Sequence, residues 1–87
     1  MKPIPTLLVD DEPRGLNALQ RLLEINCPEI QIVGLCSSAD EAKARIRELQ
    51  PALVFLDIAM PEKNGFDLLQ EISPVSFEII FVTAHDD

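Results

Sequence analysis

The chain has 87 residues, 47% hydrophobic and 25% charged, with a net charge of −8 from 15 acidic and 7 basic side chains. That length allows one domain at most, and a domain so small buries only roughly 60–65% of its unfolded surface. The acidic balance argues against binding of nucleic acid by this segment, since phosphate contacts need Lys and Arg, and against an anionic membrane surface; it suits a cation or a basic partner.

The first predicted strand spans 4–9 and ends in the acidic cluster Asp10-Asp11-Glu12. That cluster cuts Leu7-Leu8-Val9 too short for a signal-peptide core, and no later apolar run approaches the ~20 residues of a membrane span, so the chain reads as cytoplasmic. A helix follows over 13–26, with Pro13 in its first turn, Leu16, Leu19, Leu22 and Leu23 at three-and-four spacing, and Pro28 closing it. A second strand covers 30–36. A second helix covers 39–49, where Ser38 and Glu41 form a capping-box signature and Ala42, Ile46 and Leu49 form the apolar stripe. After Pro51 come a third strand over 52–56 and a helix over 65–72 with Phe66, Leu69 and Ile72 inward and Pro74 stopping it. The fourth strand spans 78–83. Cys27 and Cys36 lack a CxxC or metal-ligand spacing and read as reduced thiols, Cys36 in the core, with a disulfide between them as the alternative.

Short, continuously apolar strands alternating with helices imply a parallel sheet covered on both faces through right-handed crossovers. In such a sheet ligands bind outside the carboxyl ends of the strands. Those ends carry Asp10-Asp11-Glu12, Asp57 and Thr83-Ala84-His85, so polar residues distant in sequence converge. Acidic residues such as Asp10 and Asp11 also suit a helix N-terminus on their own account, and Thr83 is a good strand former; it is their combination at matching strand ends that points to a site. Each like-charge pair at ~5 Å and an effective dielectric near 20 costs on the order of 3 kcal/mol. A hard divalent cation relieves that repulsion, and Mg²⁺ typically takes one or two carboxylates, waters and a phosphate oxygen. A carboxylate beside it can act as the nucleophile in aspartyl-phosphate chemistry. In the loop after Asp57, Asn64-Gly65 suits a turn before a helix, and the Ala59 carbonyl is free two residues after Asp57. His85 reads as a loop residue, Met60 and Pro61 as shaping the loop, and Asp86-Asp87 as a solvated tail.

Leu8-Val9-Asp10-Asp11-Glu12-Pro13, Leu56-Asp57-Ile58-Ala59-Met60-Pro61 with Asn64-Gly65, and Phe81-Val82-Thr83-Ala84 together resemble the receiver domain of two-component response regulators, in order and in spacing, over essentially the whole chain. The resemblance implies a flavodoxin-like doubly wound sheet of order 2-1-3-4, here ending after the fourth strand, with the fifth βα unit missing. It implies that Asp57 accepts a phosphoryl group from a histidine kinase. It further implies that Asp10, Asp11, Asp57 and the Ala59 carbonyl hold Mg²⁺, Asp10 directly or through water. Thr83 is then the switch hydroxyl, and the Ile58 and Ala84 backbone N–H groups bind phosphoryl oxygens. The lysine and aromatic residue that receivers carry on and after strand five have no counterpart, and Lys63 sits on the wrong loop to replace the lysine. The expectation is therefore a truncated receiver with weak metal binding and poor phosphorylation. Asp11-Glu12-Pro13-Arg14 also resembles regulators with a LytTR-type DNA-binding output domain, which is not in this sequence.

On this reading the chain is a signalling module and no enzyme beyond assisting its own aspartyl phosphorylation and dephosphorylation. A haloacid-dehalogenase-type phosphatase wants an Asp two residues after the nucleophile, where this chain has Ala59, and no P-loop motif is present. The other alternative is a non-phosphorylated interaction module, self-associating through the open edge of the fourth strand or the first helix face.

Overall fold

The computed structural model describes residues 2–57, 65–72 and 76–82, the side chains of 65 and 66 aside. Strands β1 (Ile4–Val9), β2 (Ile30–Cys36), β3 (Leu53–Asp57) and β4 (Glu78–Val82) alternate with helices α1 (Pro13–Asn26), α2 (Ala39–Leu49) and α3 (Gly65–Glu71). The four strands form one parallel sheet in the order β2-β1-β3-β4. This is the doubly wound, flavodoxin-like α/β arrangement expected from the alternation of elements.

β1 runs through the middle because its side chains tolerate cover on both sides: Leu7, Leu8 and Val9 are 0%, 0% and 2% exposed. Leu7 and Val9 join Val54, Leu56, Ala42, Ile46 and Leu68 on the face covered by α2 and α3. Leu8 joins Phe55, Leu16 and Leu23 on the face covered by α1. Each fully buried leucine contributes about 1.5–3 kcal/mol. Thr6, also fully buried, donates its hydroxyl to the Ile4 carbonyl at 2.9 Å, so no polar atom is orphaned there.

The ladder between β1 and β2 contains an irregularity. Thr6 lies opposite Ile32 and Leu7 opposite Gly34, so Val33 has no counterpart. One extra residue reverses the inward and outward alternation. Ile30 and Ile32 consequently pack on the α1 side, whereas Cys36 is buried on the α2 side. Gly34 completes the adjustment: a Cβ there would lie 2.9 Å from Leu7 Cδ1 and 3.3 Å from Leu49 Cδ1.

The helix ends follow local chemistry. Pro13 starts α1, and the Cys27 N–H closes it on the Leu23 carbonyl. Ser38 Oγ accepts the Glu41 N–H at 3.1 Å, while the Glu41 carboxylate accepts from the Ser37 N–H at 2.9 Å. The reciprocal arm of the capping box thus falls one residue before the cap. Gln50 ends α2 in the left-handed region at φ 47°, ahead of Pro51.

Several packing expectations need correction. Leu22 is 58% exposed, because α1 turns Leu16, Leu19 and Leu23 toward the sheet and leaves Leu22 about 100° round from Leu23. Leu49, at the last turn of α2, is 37% exposed. In α3 the fully buried residue is Leu68, with Leu69 and Ile72 partly buried; the Phe66 side chain lies outside the described residues. Among the described residues β4 stands at the open edge of the sheet, as expected, but Ile80 and Phe81 are exposed where cover on both faces was expected. β3 starts at Leu53 rather than 52, since Ala52 spans two ladders, donating to Pro5 O and accepting from Glu78 N. It includes Asp57, paired with Val82. Thr83, the expected end of β4, lies outside the described residues.

Candidate functional site

Parallel strands bring their carboxyl ends to one side of the sheet, and β1 and β3 are adjacent there, with Val9 opposite Leu56. The chain leaves β1 for β2 through α1 on one face and returns to β3 through α2 on the other, so a crevice opens between the ends of β1 and β3. Asp10 follows β1 and Asp57 closes β3, each only 6% exposed. Asp11 is half-buried beside them, and one carboxylate oxygen from each of Asp10, Asp11 and Asp57 lies within 4.8 Å of the others. The three carboxylates expected to meet do meet.

The backbone fixes Asp10 in two ways. Its N–H donates to the Cys36 carbonyl at 3.0 Å, extending the β1–β2 ladder one residue beyond the strand. Its Oδ1 accepts the Glu12 N–H at 2.9 Å, a local Asx-type bond that turns the chain into α1. The bond from the Glu12 N–H to Asp10 was not foreseen. The signal was present, since an Asp two residues before the residue preceding Pro13 is well placed to make this bond.

Burial raises the Asp10 carboxyl above the ordinary carboxylate range, and the charge of Asp57 and a side-chain hydrogen bond to it raise it further, against the opposing pull of the Glu12 N–H. The crowding of negative charge favours whatever neutralises the cluster, a proton or a cation. The donor set is all hard oxygen, partly buried and open on the Asp11 side, which suits a small divalent cation such as Mg²⁺ better than a metal preferring nitrogen or sulfur.

Cys36 is buried and Cys27 half-buried, both free thiols. Burial, with the negative charge of Glu41, pushes the Cys36 thiol up to about 12, so it packs as a neutral group. Ile58, Ala59, Thr83 and Ala84 lie outside the described residues, as do Met60, Pro61, Lys63, Asn64 and His85. Among the described residues no helix is long and apolar enough to cross a membrane.

The family model for the response regulator receiver domain matches residues 6–87. A response regulatory protein of Yersinia pestis is 46% identical over 83 residues, covering 93% of this chain and 34% of that protein. The transcriptional regulatory protein BtsR of Salmonella typhi is 39% identical over 85 residues, covering 97% of this chain and 35% of BtsR. Among solved structures, a LuxR-family two-component response regulator from Aurantimonas sp. aligns with a TM-score of 0.87 at 28% identity, over 98% of this chain and 61% of that one. The chain thus spans about a third of the length of the curated relatives it matches.

Proposed function

The chain belongs to the response regulator receiver domain family, and on that premise we propose that it is a phosphoacceptor switch in which Asp57 receives a phosphoryl group from a histidine kinase. The observation that carries this reading is the convergence of Asp10, Asp11 and Asp57 at the β1/β3 crevice, with an oxygen of each within 4.8 Å of the others. Such a cluster has a use for a cation and places a carboxylate nucleophile beside it.

In the reaction a carboxylate oxygen of Asp57 attacks phosphorus as the P–N bond to the kinase imidazole breaks, and the imidazole nitrogen retains the electron pair and takes a proton. Asp57 must be ionised to attack. Asp10, Asp11, Asp57 and the Ala59 carbonyl would hold Mg²⁺, which when bound neutralises negative charge on the incoming phosphoryl oxygens. Glu12 keeps Asp10 in place through its N–H. The Ile58 and Ala84 N–H groups and the Thr83 hydroxyl would bind the remaining phosphoryl oxygens, and movement of Thr83 would carry the signal outward. Catalysis is confined to the domain's own phosphorylation and dephosphorylation.

The relatives' greater length and the name of BtsR support an output segment acting in transcription, of the LytTR type that Asp11-Glu12-Pro13-Arg14 resembles, in a cytoplasmic protein. The test is incubation of the full-length chain with Mg²⁺ and a small phosphoramidate donor, followed by intact-mass measurement. The expected product carries one added phosphoryl group and is absent in Asp57→Asn. Equal labelling of the variant would place the acceptor elsewhere.

A further inference from the structure

Gly15 stands in the first turn of α1, where a glycine weakens a helix relative to alanine. Its conformation does not explain its presence, because no glycine among the described residues has a positive φ. Its surroundings do. A Cβ at this position would lie 2.4 Å from Asp10 Oδ2, 3.2 Å from Asp10 Cγ and 3.7 Å from Asp10 Oδ1. The nearest of these distances is far inside van der Waals contact, so a methyl group and the observed carboxylate cannot coexist.

Asp10 has little freedom to yield. Its Oδ1 is tied to the Glu12 N–H at 2.9 Å and its backbone N–H to Cys36 O at 3.0 Å. It is only 6% exposed. Swinging away from a methyl at position 15 would break the Glu12 bond or displace the carboxylate relative to Asp57 and Asp11.

We propose that Gly15 is a positioning residue for the acidic cluster: the space left by its missing Cβ is where the Asp10 carboxylate rests, and that resting place sets the geometry Asp10 offers a bound cation. The inference rests on the reading of the cluster as a Mg²⁺ site for its consequence, though not for the contact itself. Small displacements of a ligand-supporting group typically cost tenfold or more in metal affinity.

The test uses the full-length chain and reads two signals by NMR: the metal-free amide resonance of Glu12, and the Kd for Mg²⁺. Gly15→Ala is expected to move the Glu12 amide upfield as its bond to Asp10 weakens, and to raise the Kd for Mg²⁺ about tenfold. In an Asp10→Ala background the same substitution meets no carboxylate. There it is expected to leave the Kd unchanged and to raise Tm, because alanine is the better helix former. If Gly15→Ala alone does not fold, a folded double variant supports the carboxylate clash, and an unfolded double variant overturns it. A folded Gly15→Ala protein with unchanged Glu12 amide and unchanged Kd overturns the proposal. If the unsubstituted chain binds no Mg²⁺, the metal reading fails, and the Glu12 amide still decides the role of Gly15.

Discussion

With Asp10 buried against Asp57, burial and a neighbouring negative charge both favour the protonated acid. The consequence for stability has a definite sign. Between the ordinary carboxylate pKa and the raised value, the folded state holds a proton that the unfolded chain has released. Stability of the metal-free protein therefore falls as pH rises through that window. Asp10→Asn has no such proton to lose. Relative to the unsubstituted chain, the variant's thermal midpoint is expected to gain steadily across the window and to level off above it. Its affinity for Mg²⁺ is expected to fall. Thermal melts at matched pH values without metal check the first outcome; a difference independent of pH would contradict it. The convergence of Asp10, Asp11 and Asp57 was legible from sequence because each follows an apolar run, and parallel strands share one direction. The Glu12 N–H bond and the close approach of Gly15 were not, because they depend on how the first turn of α1 sits over the strand end.

At the scale of elements, α1 separates what apolar spacing reveals from what it conceals. Leu16, Leu19, Leu22 and Leu23 form one leucine-rich pattern, yet Leu23 is buried and Leu22 is 58% exposed. Adjacent positions on a helix are 100° apart, and α1 turns Leu16, Leu19 and Leu23 toward the sheet, which leaves Leu22 on the flank. Among the described side chains of α3, Leu68 is buried and Leu69 partly buried, as is Ile72 just beyond its end. A helix so short offers too few turns for its spacing to identify the inner face. Leu68→Ala is expected to cost about 2–5 kcal/mol, and Leu22→Ala to stay within about 0.5 kcal/mol of the unsubstituted chain. Denaturant titration distinguishes the two; similar costs would mean that α1 does not leave Leu22 facing solvent. The bulge at Val33 was equally hidden. In a regular strand Ile30, Ile32 and Cys36 would share one face; the register with β1 puts them on opposite faces. The open edge of β4 was legible from the order 2-1-3-4, whereas the exposure of Ile80 and Phe81 was not, because β4 is as apolar as the inner strands. By contrast, Ser38 with Glu41 and Pro13 with Pro28 bounded α2 and α1 through local chemistry alone, which is why those limits were readable.

For the whole molecule, the order β2-β1-β3-β4 is what turns separated residues into a site. It creates the crevice between β1 and β3, and the net charge of −8 makes that acidic end attractive to cations. The fold alone does not specify a function; the carboxylates within it are what suit a phosphoacceptor. The most direct measurement is a titration of Mg²⁺ with beryllofluoride, a phosphoryl mimic, into the full-length chain, followed by NMR with Asp57→Asn as control. Resonance changes at Asp11, Asp57 and Thr83 that vanish in Asp57→Asn are the expected result. Changes that persist in Asp57→Asn would contradict the assignment of Asp57 as the phosphoacceptor.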